Sequence, residues 1–249
     1  MNKRRLLRHS LRMVGLEFFP PLDGDLSKLE RVYKIPKLTR QIVDAIHLIA
    51  PQYDLSTSEK SRNFCEAESN GSCWSEYRAL EPILRAKPMP KKVLELGPGL
   101  GRSLVFFSKK LGWQNVEIHT YEGDGQTTQY TLLGPRFEYS FCGSINVLRQ
   151  ILDFNGMGNV KIFNAQTLPM SKLPGPYDLI YSFYSIGFHW SLEYFWDDLM
   201  PLMHSSTVAV FTVPPEFKPF AKLEKLRYTV LDSPSVWPKG RVLKLLIIG

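Results

Sequence analysis

Glu95, Gly97, Gly99 and Gly101 stand at alternate positions in the stretch Val93-Leu94-Glu95-Leu96-Gly97-Pro98-Gly99-Leu100-Gly101-Arg102-Ser103-Leu104. Glycine adopts backbone conformations with φ > 0, and it lets a ligand approach the main chain with no Cβ in the way. A helix starting just beyond the glycines presents unpaired N–H groups and the positive end of its dipole. Glu122 follows Gly101 by 21 residues. A carboxylate at the end of the next strand can accept hydrogen bonds from both hydroxyls of a ribose. Together these residues suit a nucleotide-type ligand at the carboxyl edge of a parallel sheet. One further residue is equipped for proton transfer. His189 lies in Ser182-Phe183-Tyr184-Ser185-Ile186-Gly187-Phe188-His189-Trp190, and histidine has the side chain whose unperturbed pKa is nearest neutrality.

Such residues work only if strands and helices bring them to one edge. Val93 to Leu96 is a short apolar strand, and Leu104, Phe107 and Leu111 have helical spacing after it. Residues 116–121 alternate as a second strand ending at Glu122. Ser144 can cap a helix through Phe154, closed by Asn155-Gly156. Residues 160–163 form a third strand, and 177–183 a fourth, apolar throughout and suited to burial on both faces. Residues 191–203 read as helix, 207–213 as a fifth strand and 216–224 as a short helix. The last two strands, 228–231 and 242–248, are joined by a loop, 232–240, too short for a helical crossover, so they should pair antiparallel. Upstream, Thr39 can cap a helix through Ala50, Ser69-Asn70-Gly71-Ser72 reads as a turn, and Ser75 can cap a helix to about Lys87. The expected fold is α/β: a Rossmann-like, seven-stranded, mostly parallel sheet with an antiparallel last strand, plus an N-terminal helical cap. Residues 1–88 form the arm and cap, and residues 89–249 the binding domain.

The glycine spacing separates this turn from its relatives. The dinucleotide fingerprint G-x-G-x-x-G would need its third glycine at Arg102, and no Lys-Ser/Thr pair closes a P-loop. The order Glu95-x-Gly97-x-Gly99-x-Gly101, with Glu122 downstream, resembles the first motifs of class I S-adenosylmethionine (SAM) methyltransferases. The strings Ser75-Glu76-Tyr77-Arg78-Ala79-Leu80-Glu81 and Tyr181 to Glu193 are similar to bacterial methyltransferases of polysaccharide gene clusters, described as sugar O-methyltransferases. That resemblance implies SAM as cofactor, bound by Glu95, Gly97, Gly99, Gly101, Glu122, Asn164, Ala165 and Ser182. Glu95 would orient the turn and the cationic amino group, Glu122 the ribose, and Asn164 with Ala165 the adenine. The aromatic string after the fourth strand would wall the methionine part of SAM and the acceptor, with His189 as catalytic base or as a wall residue. The implied acceptor is a sugar, a nucleotide sugar or another small hydroxylated molecule. Two alternatives stay open: methylation of a different small molecule or protein side chain, and a non-catalytic SAM-fold scaffold.

Composition narrows the setting. At 249 residues and 44% hydrophobic, the chain can bury a full core, and no stretch approaches the ~20 apolar residues of a membrane span. Cys65, Cys73 and Cys142 are odd in number and lack metal spacing, which favours a reducing compartment, the cytoplasm, and no metal. Lys3, Arg4, Arg5, Arg8 and Arg12 against Glu17 supply four of the seven net positive charges. The remainder is only mildly basic, so no nucleic-acid partner is expected. Residues 1–19 read as a helix in peripheral contact with a membrane surface, an organelle presequence or a solvated arm.

Overall fold

Side chains alternate along β1 (Lys92–Leu96), sending Val93 and Glu95 to one face of a sheet and Leu94 and Leu96 to the other. In the computed structural model the described residues are 32–36, 42, 59–123, 125–126, 142–183, 185–188, 190–237 and 241–249. The helix expected over 39–50 lies outside them, save Ile42, as do residues 1–19. The elements after β1 are α2 (Arg102–Leu111), β2 (Glu117–Glu122), the two-residue β3 (Gly125–Gln126) and β4 (Cys142–Gly143), and α3 (Ile145–Phe154). They continue through β5 (Lys161–Asn164), β6 (Tyr177–Ser182), α4 (Leu192–Leu199), β7 (Met203–Val213), β8 (Tyr228–Trp237) and β9 (Arg241–Ile248). One long helix, α1 (Glu59–Arg85), precedes β1.

The main sheet has seven strands in the order β5-β2-β1-β6-β7-β9-β8. β5, β2, β1, β6 and β7 are parallel neighbours, and β9 runs antiparallel to both β7 and β8. This is the mostly parallel sheet with an antiparallel last strand that the sequence led us to expect. One face buries Val93, Leu179, Tyr181, Val210 and Leu245 under α1, α2 and α3. The other buries Leu94, Ile180, Phe211 and Leu246 under α4 and its neighbouring turns. Strand order changes direction at β1, which has β2 on one side and β6 on the other, so a crevice opens at the carboxyl ends of those strands.

Five local expectations are corrected. The turn at Ser69-Asn70-Gly71-Ser72 and the helix start at Ser75 are both interior to α1, which runs unbroken for 27 residues. Tertiary bonds made by Asn70, described below, outweigh its local turn preference. Residues 216–224 form hydrogen-bonded turns and no helix. Pro219 removes a donor in mid-segment and disfavours the helical region at Lys218. The helix expected through Met203 stops at Leu199, giving way to a 3₁₀ turn at Met200–Leu202, where Pro201 lies, so β7 begins at Met203. β8 and β9 run on to Trp237 and from Arg241, leaving only 238–240 between them. β8 accommodates Pro234 because it is an edge strand whose register shifts between Asp232 and Val236.

Candidate functional site

The glycine turn occupies the crevice at the end of β1. Gly97, Gly99 and Gly101 have φ of 67°, 56° and 70°, all in the left-handed region. Each is held by a different partner. The Gly97 N–H donates to the Tyr121 carbonyl at 2.9 Å, and the Gly101 N–H donates to the Pro98 carbonyl at 2.9 Å. The Gly99 N–H donates to Oε2 of Glu122 at 2.7 Å, while Oε1 of the same carboxylate accepts from the Gly123 N–H at 2.9 Å. The acidic end of β2 therefore lies directly against the glycine turn.

The space around the three glycines differs. A Cβ on Gly97 would lie 2.2 Å from the Ser185 Oγ, and one on Gly101 would lie 2.9 Å from Leu148 Cδ1. Packing demands glycine at Gly97, and at Gly101 the left-handed φ adds to the crowding by Leu148. Among the described residues, a Cβ on Gly99 would meet nothing within 4 Å. Gly99 lies beside the half-buried Glu122.

The loop after β6 sits where the strand order requires, against the turn. Ser182 ties it there: its hydroxyl donates to the Leu96 carbonyl at 2.9 Å and accepts from the Ile186 N–H at 2.9 Å. Ser182 is 0% exposed, so its side chain anchors the loop and does not face the crevice. Two aromatics of the loop turn inward as well. Phe183 stacks on Phe107, with ring centroids 5.7 Å apart, and Phe188 is buried; they belong to the core and not to a wall of the crevice. Trp190 is half-buried against Phe195. His189 and Tyr184 lie outside the described residues. The other described histidines are engaged elsewhere, His119 with the Tyr177 hydroxyl and Glu117, and His204 with Asp178.

At the neighbouring strand end, Asn164 pairs in register with Glu122, and the Ala165 N–H donates to the Glu122 carbonyl at 2.9 Å. The Asn164 Oδ1 accepts from the Gln166 N–H at 2.8 Å, shaping the loop that leaves β5. Glu122, Asn164 and Ala165 are thus brought to one edge with the glycines.

Glu95 is 1% exposed, between α2 and β6. Its carboxyl oxygens accept from the Ser103 hydroxyl and, at 3.3 Å, from the Tyr181 hydroxyl. Burial pushes its pKa up to about 8, against the opposing pull of the Ser103 hydrogen bond and the Arg102 charge. Burial likewise raises Tyr181. Arg102 reaches the buried Glu76 of α1 at 3.3 Å. Glu95 so links β1, α2 and β6 beneath the turn, and Arg102 links the start of α2 to α1.

A second set of contacts is not visible in the sequence. Tyr33, far upstream, donates its hydroxyl to the Leu100 carbonyl at 3.1 Å, inside the glycine turn. Nothing in its spacing or neighbours marks it, because its partner is 67 residues away. Among the described residues, no group of three His, Cys, Asp or Glu is gathered as a metal ion would need. No helix among them is long and apolar enough to cross a membrane.

No protein-family model matches the chain, and no curated protein matches it in sequence. Solved structures do match. TrmN from Thermus thermophilus is 15% identical, with 69% of this chain covered and a TM-score of 0.43; the match spans 47% of TrmN, about half its length. A SAM-dependent methyltransferase from Aquifex aeolicus is 15% identical over 68% of this chain and 87% of its own, with a TM-score of 0.43. The SAH-bound methyltransferase PaMTH1 from Podospora anserina is 13% identical over 98% of this chain and 94% of its own, with a TM-score of 0.42.

Proposed function

We propose that the protein is a SAM-dependent methyltransferase that O-methylates a sugar or another small hydroxylated acceptor. The observation that supports this most is Gly99: a left-handed glycine whose Cβ would meet no described residue within 4 Å, with its N–H on the carboxylate of Glu122. A side chain there would project into the crevice, where a ligand needs the room. The donor and acceptor set fits SAM. Two of the roughly four lone-pair sites of the Glu122 carboxylate are taken by backbone N–H groups. The same carboxylate would accept from the ribose hydroxyls. The backbone of Gly97, Gly99 and Gly101 would take the methionine part, Asn164 and Ala165 the adenine, and Glu95 and Ser182 would hold the turn and loop in place.

Bound SAM would supply an electrophilic methyl group on a positively charged sulfur, whose leaving needs no protonation. The chain's own task is then to hold an acceptor hydroxyl in line, exclude water and remove one proton. His189 is proposed for that proton. A sugar hydroxyl is a poor nucleophile, and a base that takes its proton as the C–O bond forms speeds transfer by about 10²–10⁴. The sugar acceptor rests on the two strings that resemble polysaccharide-cluster enzymes, and the membrane contact of residues 1–19 on their Arg-rich pattern.

Calorimetry with SAM tests the cofactor site. Glu122→Ala should weaken binding by about 1.5–3 kcal/mol, the range for a hydrogen bond to a charged group. Gly99→Val should weaken binding with the fold retained. Unchanged affinity in both variants would refute the site. With an acceptor found by a +14 Da product screen (roughly one CH₂ on transfer), His189→Ala should lower kcat by the factor above and leave SAM affinity unchanged.

A further inference from the structure

We infer that residues 32–36 form a strap at the back of the cofactor turn, and that Tyr33 is a positioning residue that fixes the Leu100–Gly101 peptide. The inference rests on the SAM reading above and extends it to a part of the chain with no motif.

The strap is held in an unusual way, by side chains acting on backbone. The Asn70 Oδ1 on α1 accepts from the N–H groups of Val32 (2.9 Å) and Tyr33 (2.8 Å), and its Nδ2 donates to the Tyr33 carbonyl at 2.8 Å. Asn155, at the end of α3, treats Lys34 in the same way: Oδ1 accepts from the Lys34 N–H at 3.0 Å, and Nδ2 donates to the Lys34 carbonyl at 2.7 Å. Glu66 accepts from the Ile35 N–H at 2.8 Å, and Lys109 of α2 donates to the Val32 carbonyl at 3.1 Å. Every N–H from Val32 to Ile35 and every carbonyl from Val32 to Lys34 is thus satisfied by α1, α2 or α3. Val32, Tyr33 and Ile35 are buried between those helices. A segment gripped by three helices cannot shift unless one of them lets go.

Tyr33 transmits this rigidity to the turn. The glycine turn has few side chains to anchor it, and glycine samples positive and negative φ almost equally, so its peptide planes are poorly held. The Tyr121 carbonyl fixes Gly97, and Glu122 fixes Gly99. Gly101 caps α2 in the left-handed region with no side-chain cap. The peptide plane before it is held at both ends, by the Gly101 N–H on the Pro98 carbonyl within the turn and by the Tyr33 hydroxyl on the Leu100 carbonyl from outside it. A peptide is planar, so fixing that carbonyl also fixes the direction of the Gly101 N–H and the entry into α2. The N–H groups of the first turn of α2 follow from that entry, and they are the donors a ligand at the turn would use.

Tyr33→Phe removes only the hydroxyl, and Ile35→Val trims the strap without touching the turn. Calorimetry with S-adenosylhomocysteine, thermal melting, and amide exchange of the unliganded protein separate their effects. Tyr33→Phe should raise the Kd about 2- to 10-fold, the net worth of one hydrogen bond, speed exchange at Gly101 and Arg102, and leave the melting temperature close to that of the unmutated protein. Ile35→Val should lower the melting temperature and leave the Kd unchanged. The inference is overturned if Tyr33→Phe leaves both the Kd and the Gly101 exchange rate unchanged, or if Kd tracks melting temperature equally in the two variants. Failure of the unmutated protein to bind S-adenosylhomocysteine would instead sink the cofactor reading, and the exchange rates of the unliganded protein would still judge Tyr33.

Discussion

Glu95 shows how one residue can be placed by the sequence and yet have its state set by the fold. Its position before the glycines is plain in the motif, but its proton is not. In the folded chain, burial holds that proton up to about pH 8, whereas an ordinary carboxyl loses it near 4.5. Between those values the folded state keeps a proton that the unfolded state has released. Stability therefore falls as pH rises through that window, and the contribution is fully present only below it. Glu95→Gln removes the titration while keeping the shape. Urea unfolding at about pH 5 and about pH 9 should show the variant gaining on the unmutated protein as pH rises, by a few kcal/mol in order of magnitude. Parallel pH profiles for the two proteins would mean that Glu95 is already ionised at neutral pH. Glu122 is the opposite case, since its spacing and its place on the turn agree. Tyr33 and Ser185 were illegible because each matters through a neighbour distant in sequence: Leu100 for one, Gly97 for the other.

At the scale of elements, the parallel strands were legible because each is a short apolar or alternating run ended by a polar residue or turn signal, and Ser144 capped α3 as its position suggested. α1 was not. Its Asn70-Gly71 pair carries a local turn signal, and only the strap explains why the helix continues through it. Asn70→Ala sets local against tertiary preference. Alanine is the better helix former by a few tenths of a kcal/mol up to about 0.7. An isolated peptide of residues 59–85 should therefore gain helicity by circular dichroism on this change. In the whole protein, the same change strips partners from two backbone N–H groups and one carbonyl. Each buried group left unpaired costs about 1–3 kcal/mol, so the protein should lose several kcal/mol in urea unfolding. Equal or greater stability of the variant would show that the strap is not held by Asn70. The edge strand β8 teaches a related lesson. A proline within a strand is tolerated where the ladder has a free side and a register shift.

For the whole molecule, the mostly parallel sheet with an antiparallel end followed from two sequence features: strands alternating with helical patterns, and a final connection too short for a crossover. Less visible was that the N-terminal segments share the main core. Cys73, Tyr77 and Leu80 of α1 pack in one cluster with Val93, Leu104 and Leu179. The strap adds a dimension of time. Ile35 finds Glu66 31 residues later, but Lys34 must wait for Asn155, 121 residues further on. At synthesis rates of about 5–20 residues per second, that wait lasts roughly 6–24 s. Throughout it, Val32, Tyr33 and Ile35 have no complete groove to enter and offer an apolar segment to any chaperone at the ribosome. Chains arrested before α3 emerges should leave the strap open to proteolysis, and chains arrested well beyond it should protect it; protection of the shorter chains would mean that α1 alone holds the strap. The strap is made before every helix that holds it, and on this ordering it is among the last parts to be housed.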